Sequence, residues 1–201
     1  MKKIITLFIA LLTAITISAA GNTSAQAKKI LDKAAAKVNL KSGASANFTI
    51  SGGRLGGHSG SIAIKGKKFN ARTDKAIIWY DGKTQWLLNT KSDEVNVSNP
   101  SPAVQQSMNP YTFLNLYKQG YTLSYTNAAS GYQVHLVGKG KSISELYILI
   151  DKSYTIKQVK MQQKGQWITI NISNFKAAKL SDATFTFNRK DYPKAEVIDL
   201  R

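Results

Sequence analysis

Apolar and polar residues alternate with a period of two through most of the chain after Gly43, and this alternation limits the fold more than any other feature. Around Lys164-Gly165, a two-residue turn would place Met161 opposite Ile168 and Val159 opposite Ile170. The apolar face then carries Val159, Met161, Ile168, Ile170 and Ile172, and the polar face carries Gln158, Lys160, Gln162, Thr169 and Asn171. A sheet with this pattern is antiparallel and covers a core on one side only.

A second hairpin is indicated by Asp81-Gly82, which is a strong two-residue turn signal. This turn would pair Trp79 with Thr84 and Ile77 with Trp86. One face then carries Ile77, Trp79, Trp86 and Leu88, and the other carries Ile78, Tyr80, Lys83 and Gln85. We expect the first of these faces to be the apolar, inward one.

The rest of the pattern is mainly β. About eleven strands are predicted, from residues 44–50 to residues 184–187, and residues 24–39 have the period of a helix. Prolines at positions 100, 102 and 110 interrupt the alternation, and the apolar residues that follow predict two short helices ending near Gln119. Neither an internal repeat nor a linker is visible, so we expect one domain.

The N-terminal segment has the features of a signal peptide. Lys2 and Lys3 give a basic start, and the apolar run over residues 4–17 is shorter than the ~20 residues that a spanning helix needs. We therefore expect an exported protein that resides in the periplasm, with an uncleaved anchor helix as the alternative.

Small residues mark two candidate cleavage sites, Ser18-Ala19-Ala20 and Ala25-Gln26-Ala27. We predict a signal peptide over residues 1–20, or as late as residue 27, followed by a single domain over residues 21–201.

Composition excludes several kinds of chemistry. The chain has no cysteine and only two histidines, which excludes disulfides and thiolate zinc sites and argues against a multi-histidine metal site. His135 alternates within a predicted strand and His58 lies in a glycine-rich stretch, so neither is expected to be a catalytic base. Catalytic motifs such as His-Glu-x-x-His and Gly-x-Ser-x-Gly do not occur. We predict a protein that is not an enzyme and needs no cofactor or metal.

The net charge of +17 comes mostly from lysines spread along the chain. Export argues against a nucleic-acid partner, and the scarcity of arginine leaves few bidentate phosphate contacts. A solvated surface explains the charge, and the alternative is a transient attraction to anionic lipid headgroups.

Several short motifs occur in the order seen in the LolA family of periplasmic outer-membrane lipoprotein carriers. Asp81-Gly82-Lys83-Thr84-Gln85-Trp86 resembles the family's second hairpin. Ala46-Asn47-Phe48-Thr49-Ile50 and Gly60-Ser61-Ile62-Ala63-Ile64-Lys65 are similar to its first strands, and Asn109-Pro110 to the start of its lid. Ser181-Asp182-Ala183-Thr184-Phe185-Thr186-Phe187 is similar to a motif near its end.

This resemblance implies an unclosed antiparallel β-barrel, a half-barrel with an α-helical lid over an apolar cavity. It implies a chaperone that carries the acyl chains of lipoproteins from the inner to the outer membrane, with an inner-membrane lipoprotein-releasing transporter and an outer-membrane acceptor as partners. The residues expected to contact lipid are Phe48, Ile50, Ile62, Ile64, Phe69, Ile77, Trp79, Trp86, Leu88, Phe113, Leu114, Ile148, Met161, Ile168 and Ile170.

One position departs from the family. Gly66 stands where the family's lid-latch arginine follows the lysine of the second strand, so Lys67, Arg72 or packing of Phe113 and Leu114 would have to hold the lid. A lipid or glycolipid binder, or an envelope lipoprotein-sensing module of the same fold, is the alternative function.

Overall fold

The structure is a computed structural model and describes residues 16–53, 57–101 and 115–201, with side chains from residue 23 onward. One long helix, α1 (Thr16–Val38), precedes the strands. The strands are β1 (Ala44–Gly52), β2 (His58–Lys65), β3 (Lys68–Thr73), β4 (Ala76–Tyr80), β5 (Gln85–Asn89), β6 (Glu94–Ser98), β7 (Thr122–Ala128), β8 (Gly131–Val137), β9 (Ile143–Asp151), β10 (Ile156–Gln163), β11 (Gln166–Ala177) and β12 (Glu196–Asp199). Three short 3₁₀ helices lie at Leu116–Gln119, Asp182–Phe185 and Arg189–Asp191.

All twelve strands form one sheet in the order β12-β6-β5-β4-β3-β2-β1-β11-β10-β9-β8-β7. Neighbours are antiparallel except β12, which runs parallel to β6. The sheet is not closed into a barrel, which confirms the predicted open half-barrel. The last predicted strand is wrong, because residues 182–185 form a 3₁₀ helix and β12 follows it.

The register of the β10–β11 hairpin is confirmed. Met161 pairs with Ile168 and Val159 pairs with Ile170. Lys164 and Gly165, the two turn residues, both have positive φ, at 50° and 75°. This backbone is the one that a type I′ turn requires, and its twist matches that of the flanking strands.

The register of the β4–β5 hairpin is wrong by two residues, because Trp79 pairs with Trp86 and Ile77 pairs with Leu88. A four-residue loop replaces the expected two-residue turn. The Asp81 carboxylate accepts hydrogen bonds from the backbone N–H groups of Lys83 at 2.8 Å and Thr84 at 2.7 Å, which holds this longer loop. A shift of two residues keeps the strand side chains on their faces, so the predicted groupings stand except for Lys83, which lies in the loop.

Helix α1 packs against β7 and β8 at one end of the sheet. We call the face that meets α1 the inner face. The buried helix residues are Ala27, Ile30, Leu31 and Ala34, at the spacing of one helical face. Below them, Val134, Leu136, Leu146, Ile148 and Ile150 are completely buried. Residues of β2, β3 and β4 belong to the same apolar cluster, so the sheet curves around its inner face.

The C-terminal segment covers part of the outer face. Trp79 makes edge-to-face ring contacts with Phe187 and Tyr192, with centroids 5.5 and 5.4 Å apart. These rings belong to a second apolar cluster with Ile77, Leu88, Val95, Val97 and Ala195, and Trp86 packs against it. Strand β4 is therefore enclosed by apolar residues on both faces.

Candidate functional site

An apolar cavity of about 240 Å³ lies on the inner face, beside the core that α1 covers. Its lining residues are Lys37, Val38, Ala44, Ser45, Ala46, Asn47, Phe48, Ile50, Ile62, Ile64, Phe69, Ala71, Ile78, Thr155, Ile156, Val159, Ile170, Ile172 and Phe175. Four of these residues carry polar side chains. Alternation along β1 directs two of them, Ser45 and Asn47, to the outer face.

Strand pairing explains why the wall is continuous. Ala46 pairs with Ile62, Ile62 pairs with Ala71, and Ala71 pairs with Ile78, so one row of inward side chains crosses four strands. Paired residues on adjacent strands lie on the same face of a sheet, and their side chains touch. The row alternates alanine with isoleucine, and the small alanine side chains leave space above the sheet.

The cavity wall differs from the packed core in its exposure. Under α1, Val134 and Ile148 are completely buried, whereas Phe48, Ile62 and Ile170 in the cavity wall are only half-buried. Helix α1 contacts β7 and β8, which are distant in the sheet from β1 and β2. The inner face thus has a close-packed part and an open apolar part. Open apolar concavities of this kind are typical of ligand sites.

The residues predicted to contact lipid fall into four groups. Phe48, Ile50, Ile62, Ile64, Phe69 and Ile170 line the cavity. Ile148 and Met161 are buried in the core, and Ile168 packs against that core without lining the cavity. Ile77, Trp79, Trp86 and Leu88 lie on the outer face in the second cluster. Phe113 and Leu114 lie outside the described residues.

The prediction that the face of Ile77 and Trp79 points inward is therefore wrong. The inward residues of β4 are Ile78 and Tyr80, which pack in the main core cluster. The C-terminal segment covers the outer face of β4, so both faces of this strand carry apolar side chains. Alternation alone therefore does not show which face is the inner one.

Phe175 lines the cavity although the alternation of β11 directs it outward. Ala44 pairs with Ala177 but Asn47 pairs with Ser173, so β11 carries an extra residue at a bulge. Asn174 adopts a positive φ of 52° there. A bulge of this kind re-aims the following side chains. The sequence gives only a weak signal for this bulge. Asparagine adopts a positive φ more often than most residues, but it does not require one.

Two lysines anchor the last turns of α1 to the β9–β10 turn beside the cavity. Lys37 Nζ donates to the Ser153 carbonyl at 2.7 Å and to its hydroxyl at 3.0 Å. Lys33 Nζ donates to the Tyr154 hydroxyl at 3.1 Å and lies 4.6 Å from the centre of that ring. The bond from Lys33 lowers the pKa of Tyr154, followed in size by a hydrogen bond with Tyr132.

The carboxylate of Asp151 organises this turn. It accepts hydrogen bonds from the backbone N–H groups of Ser153 and Thr155, both at 2.9 Å, and from the Ser153 hydroxyl at 2.6 Å. Burial alone would raise the pKa of Asp151, but these bonds and one from Lys157 outweigh it and lower the pKa to about 2. Thr155 and Ile156, which follow in the chain, are part of the cavity wall.

Two polar residues, His135 and Arg72, point away from the cavity. His135 lies on the outer face, 2.9 Å from a carboxylate oxygen of Glu145, and its ring stacks on Tyr147. Arg72 also points outward, where its guanidinium lies 5.6 Å from the centre of the Trp79 ring. Within the described ranges, no three His, Asp or Glu side chains are grouped to hold a metal ion. None of the helices described there is long and apolar enough to cross a membrane.

Comparison with known proteins agrees with this architecture. The solved structure of an uncharacterized conserved protein from Thermus thermophilus is similar, with a TM-score of 0.58 and 14% identity over 87% of this chain and 99% of that one. The crystal structure of MucB is similar with a TM-score of 0.51 and 11% identity over 82% of this chain and 64% of that one. Among curated proteins, none matches this sequence.

A family match covers most of the same elements. Residues 17–166, from α1 to the beginning of β11, match the family described as outer membrane lipoprotein carrier protein LolA. The match extends over more than half of the chain and includes α1 and strands β1 to β10, so it contains every cavity-forming strand except β11. The chain belongs to the LolA family of outer membrane lipoprotein carrier proteins.

Proposed function

We propose that this chain is a periplasmic chaperone that binds the acyl chains of lipoproteins in the inner-face cavity and carries them from the inner to the outer membrane. The main support for this proposal is the open apolar cavity whose wall is formed by β1, β2, β3, β4, β10 and β11. A carrier needs an apolar surface that stays accessible, and the half-buried side chains of Phe48, Ile62 and Ile170 supply one.

The energetics favour this use of the cavity. Each methylene group moved from water to an apolar environment contributes about 0.8 kcal/mol, so a lipid chain of ten methylenes gains ~8 kcal/mol from burial. Most described residues of the wall are apolar, so binding should depend on the acyl chain and not on the peptide sequence of the lipoprotein. Carrying and releasing acyl chains needs no catalytic group, and we propose a binding protein rather than an enzyme.

The proposed function also includes two membrane partners. A transporter in the inner membrane would load the acyl chains, and an acceptor at the outer membrane would receive them. A signal peptide at residues 1–20, or as late as residue 27, would direct export and then be cleaved, which leaves one domain. Sequencing the N-terminus of protein from the periplasmic fraction tests this step, and an intact Met1 there would contradict it.

A cavity-filling substitution tests the central step. Ala71→Phe places a ring in the cavity, and Ala63→Phe places the same ring on the outer face, since Ala63 pairs with the outward Asn70. Displacing two methylenes of a bound chain costs about 15-fold in affinity. We expect Ala71→Phe to weaken binding of a fluorescent acylated lipopeptide by at least tenfold and Ala63→Phe to leave it within twofold.

Equal affinities in the two variants would refute the proposed site. The same titration with a non-acylated peptide should give no binding. A cargo other than lipoprotein, such as a free lipid or glycolipid, would appear as lipid without peptide in mass spectra of material that copurifies with the protein. That result would replace the lipoprotein cargo but keep the cavity.

A further inference from the structure

A second cleft, of about 740 Å³, lies at the end of the sheet where α1 ends. Three connections form it: the α1–β1 loop, the β2–β3 turn and the β4–β5 loop. Its basic residues are Lys41, Lys65, Lys67, Lys68 and Lys83, and we call it the lysine cleft. The chain distributes these lysines over more than forty positions, and the fold brings them together at one end.

The lysine cleft keeps an excess of positive charge, because its five lysines are opposed by Asp81, which also lines it, and by the adjoining Asp182. Asp182 pairs with Lys65 at 3.3 Å and with Lys68 at 2.9 Å. Three further lysines line the cleft, and all three are exposed: Lys41, Lys67 and Lys83. Across the described ranges, these three ammonium groups form no ion pair.

The cleft adjoins the apolar cavity. Ile64 and Phe69 pair with each other and line the cavity. The next pair towards the β2–β3 turn, Lys65 and Lys68, lines the cleft. Successive residues of a strand are about 3.3 Å apart. Alternation directs Lys65 and Lys68 to the outer face, so the cavity and the cleft share one end of the sheet. They meet at the end of α1, where Val38 lines the cavity and Asn39, the next residue of the chain, lines the cleft.

We propose that the lysine cleft is a docking surface for an anionic lipid bilayer, which brings the end of the cavity to the membrane. This inference rests on the proposed acyl-binding function, because a carrier of acyl chains must meet bilayers to load and unload. The basic residues that line the cleft in the described part of the chain are all lysines. Lysine ammonium groups act as hydrated point charges that suit a fluid layer of headgroups, whereas a site for one phosphate favours the bidentate fork of arginine.

The experiment compares two triple variants of the full mature protein. Lys41→Gln, Lys67→Gln and Lys83→Gln together remove the three exposed charges of the cleft. The matched control replaces three exposed lysines in turns at the opposite end of the sheet, at positions 75, 91 and 139, by glutamine. Both variants lose the same net charge, so they differ only in where it is lost.

Sedimentation with phosphatidylcholine vesicles, with and without phosphatidylglycerol, measures the docking. Each lysine near an anionic surface contributes about fivefold in affinity. We expect the cleft variant to bind phosphatidylglycerol vesicles about 100-fold more weakly than wild type and the control variant to stay within a fewfold. The binding should fall as salt is raised from about 0.01 to 0.15 M, because the Debye length shortens from ~30 to ~8 Å.

Equal losses in the two variants would overturn the docking site and leave only an effect of net charge. Absence of wild-type binding to anionic vesicles would overturn it as well, as would binding unchanged in the cleft variant. Acylated lipopeptide binding without vesicles separates this inference from the proposed function, since the cleft variant should keep that affinity. If the wild type does not bind the acylated lipopeptide, the proposed acyl-binding function of the cavity is refuted instead.

Discussion

Replacing Asp151 by asparagine should make the stability of this protein less dependent on acid pH. Asp151 holds the β9–β10 turn by accepting two backbone hydrogen bonds and one from the Ser153 hydroxyl, and its side chain is 23% exposed. Asparagine keeps the shape of the side chain but loses the charge that strengthens these bonds.

The magnitude follows from the pKa of Asp151, which is about 2 in the folded protein against a usual value of 3.8. A folded-state pKa below the unfolded value means that the charged carboxylate stabilises the fold. The contribution of the Asp151 charge to the free energy of unfolding is nearly complete above pH 4 and is lost as the pH falls towards 2. It amounts to about 2 kcal/mol, because one pKa unit corresponds to ~1.4 kcal/mol.

Urea unfolding at pH 7, 4, 3 and 2 measures this contribution. We expect Asp151→Asn to be less stable than wild type by about 2 kcal/mol at pH 7, and the difference to shrink towards zero at pH 2. Asp93→Asn, at an exposed carboxylate in the β5–β6 turn, serves as the control and should change stability little at any pH. A difference in unfolding free energy between wild type and Asp151→Asn that stays constant from pH 7 to pH 2 would show that the Asp151 charge does not stabilise the turn.

Three further substitutions test the packing. Trp79→Ala should cost about 3–5 kcal/mol of unfolding free energy while leaving acyl affinity unchanged, because Trp79 lies on the outer face; an equal loss of acyl affinity would contradict its placement. Tyr117→Phe should cost about 1–3 kcal/mol in urea unfolding, because the Tyr117 hydroxyl donates to the Asp32 carboxylate; no loss would contradict that bond. Gly60→Ala should lower the melting temperature, because its Cβ would lie 2.0 Å from the Arg72 carbonyl oxygen; an unchanged melting temperature would contradict that approach.

Local turn chemistry predicted one hairpin fully and another only in part. Lys164-Gly165 gives a two-residue turn and the right pairs, whereas at Asp81-Gly82 the side chain of Asp81 closes a longer loop. Alternation gives the grouping of side chains on a face in both hairpins. It does not say which face is inner where both faces are apolar, as in β4.

The distinction between a packed core and a cavity was also beyond sequence pattern. Ile148 in β9 and Ile170 in β11 both pair with Val159 of β10 and point inward, yet α1 covers the region of Ile148 and leaves Ile170 half-buried. The difference depends on where α1 crosses the sheet, which is a tertiary property. Phe175 was missed for a related reason, since its inward direction depends on the bulge between β1 and β11.

Tryptophan fluorescence gives the most direct test of acyl binding in the cavity. The three tryptophans of the chain, Trp79, Trp86 and Trp167, all lie on the outer face, so wild-type emission should not respond to a ligand in the cavity. Phe48→Trp places a reporter in the cavity wall. We predict that an acylated lipopeptide shifts the emission of this variant to the blue and that the non-acylated peptide does not. Unchanged emission with the acylated lipopeptide, or an equal shift with both peptides, would contradict acyl binding in this cavity.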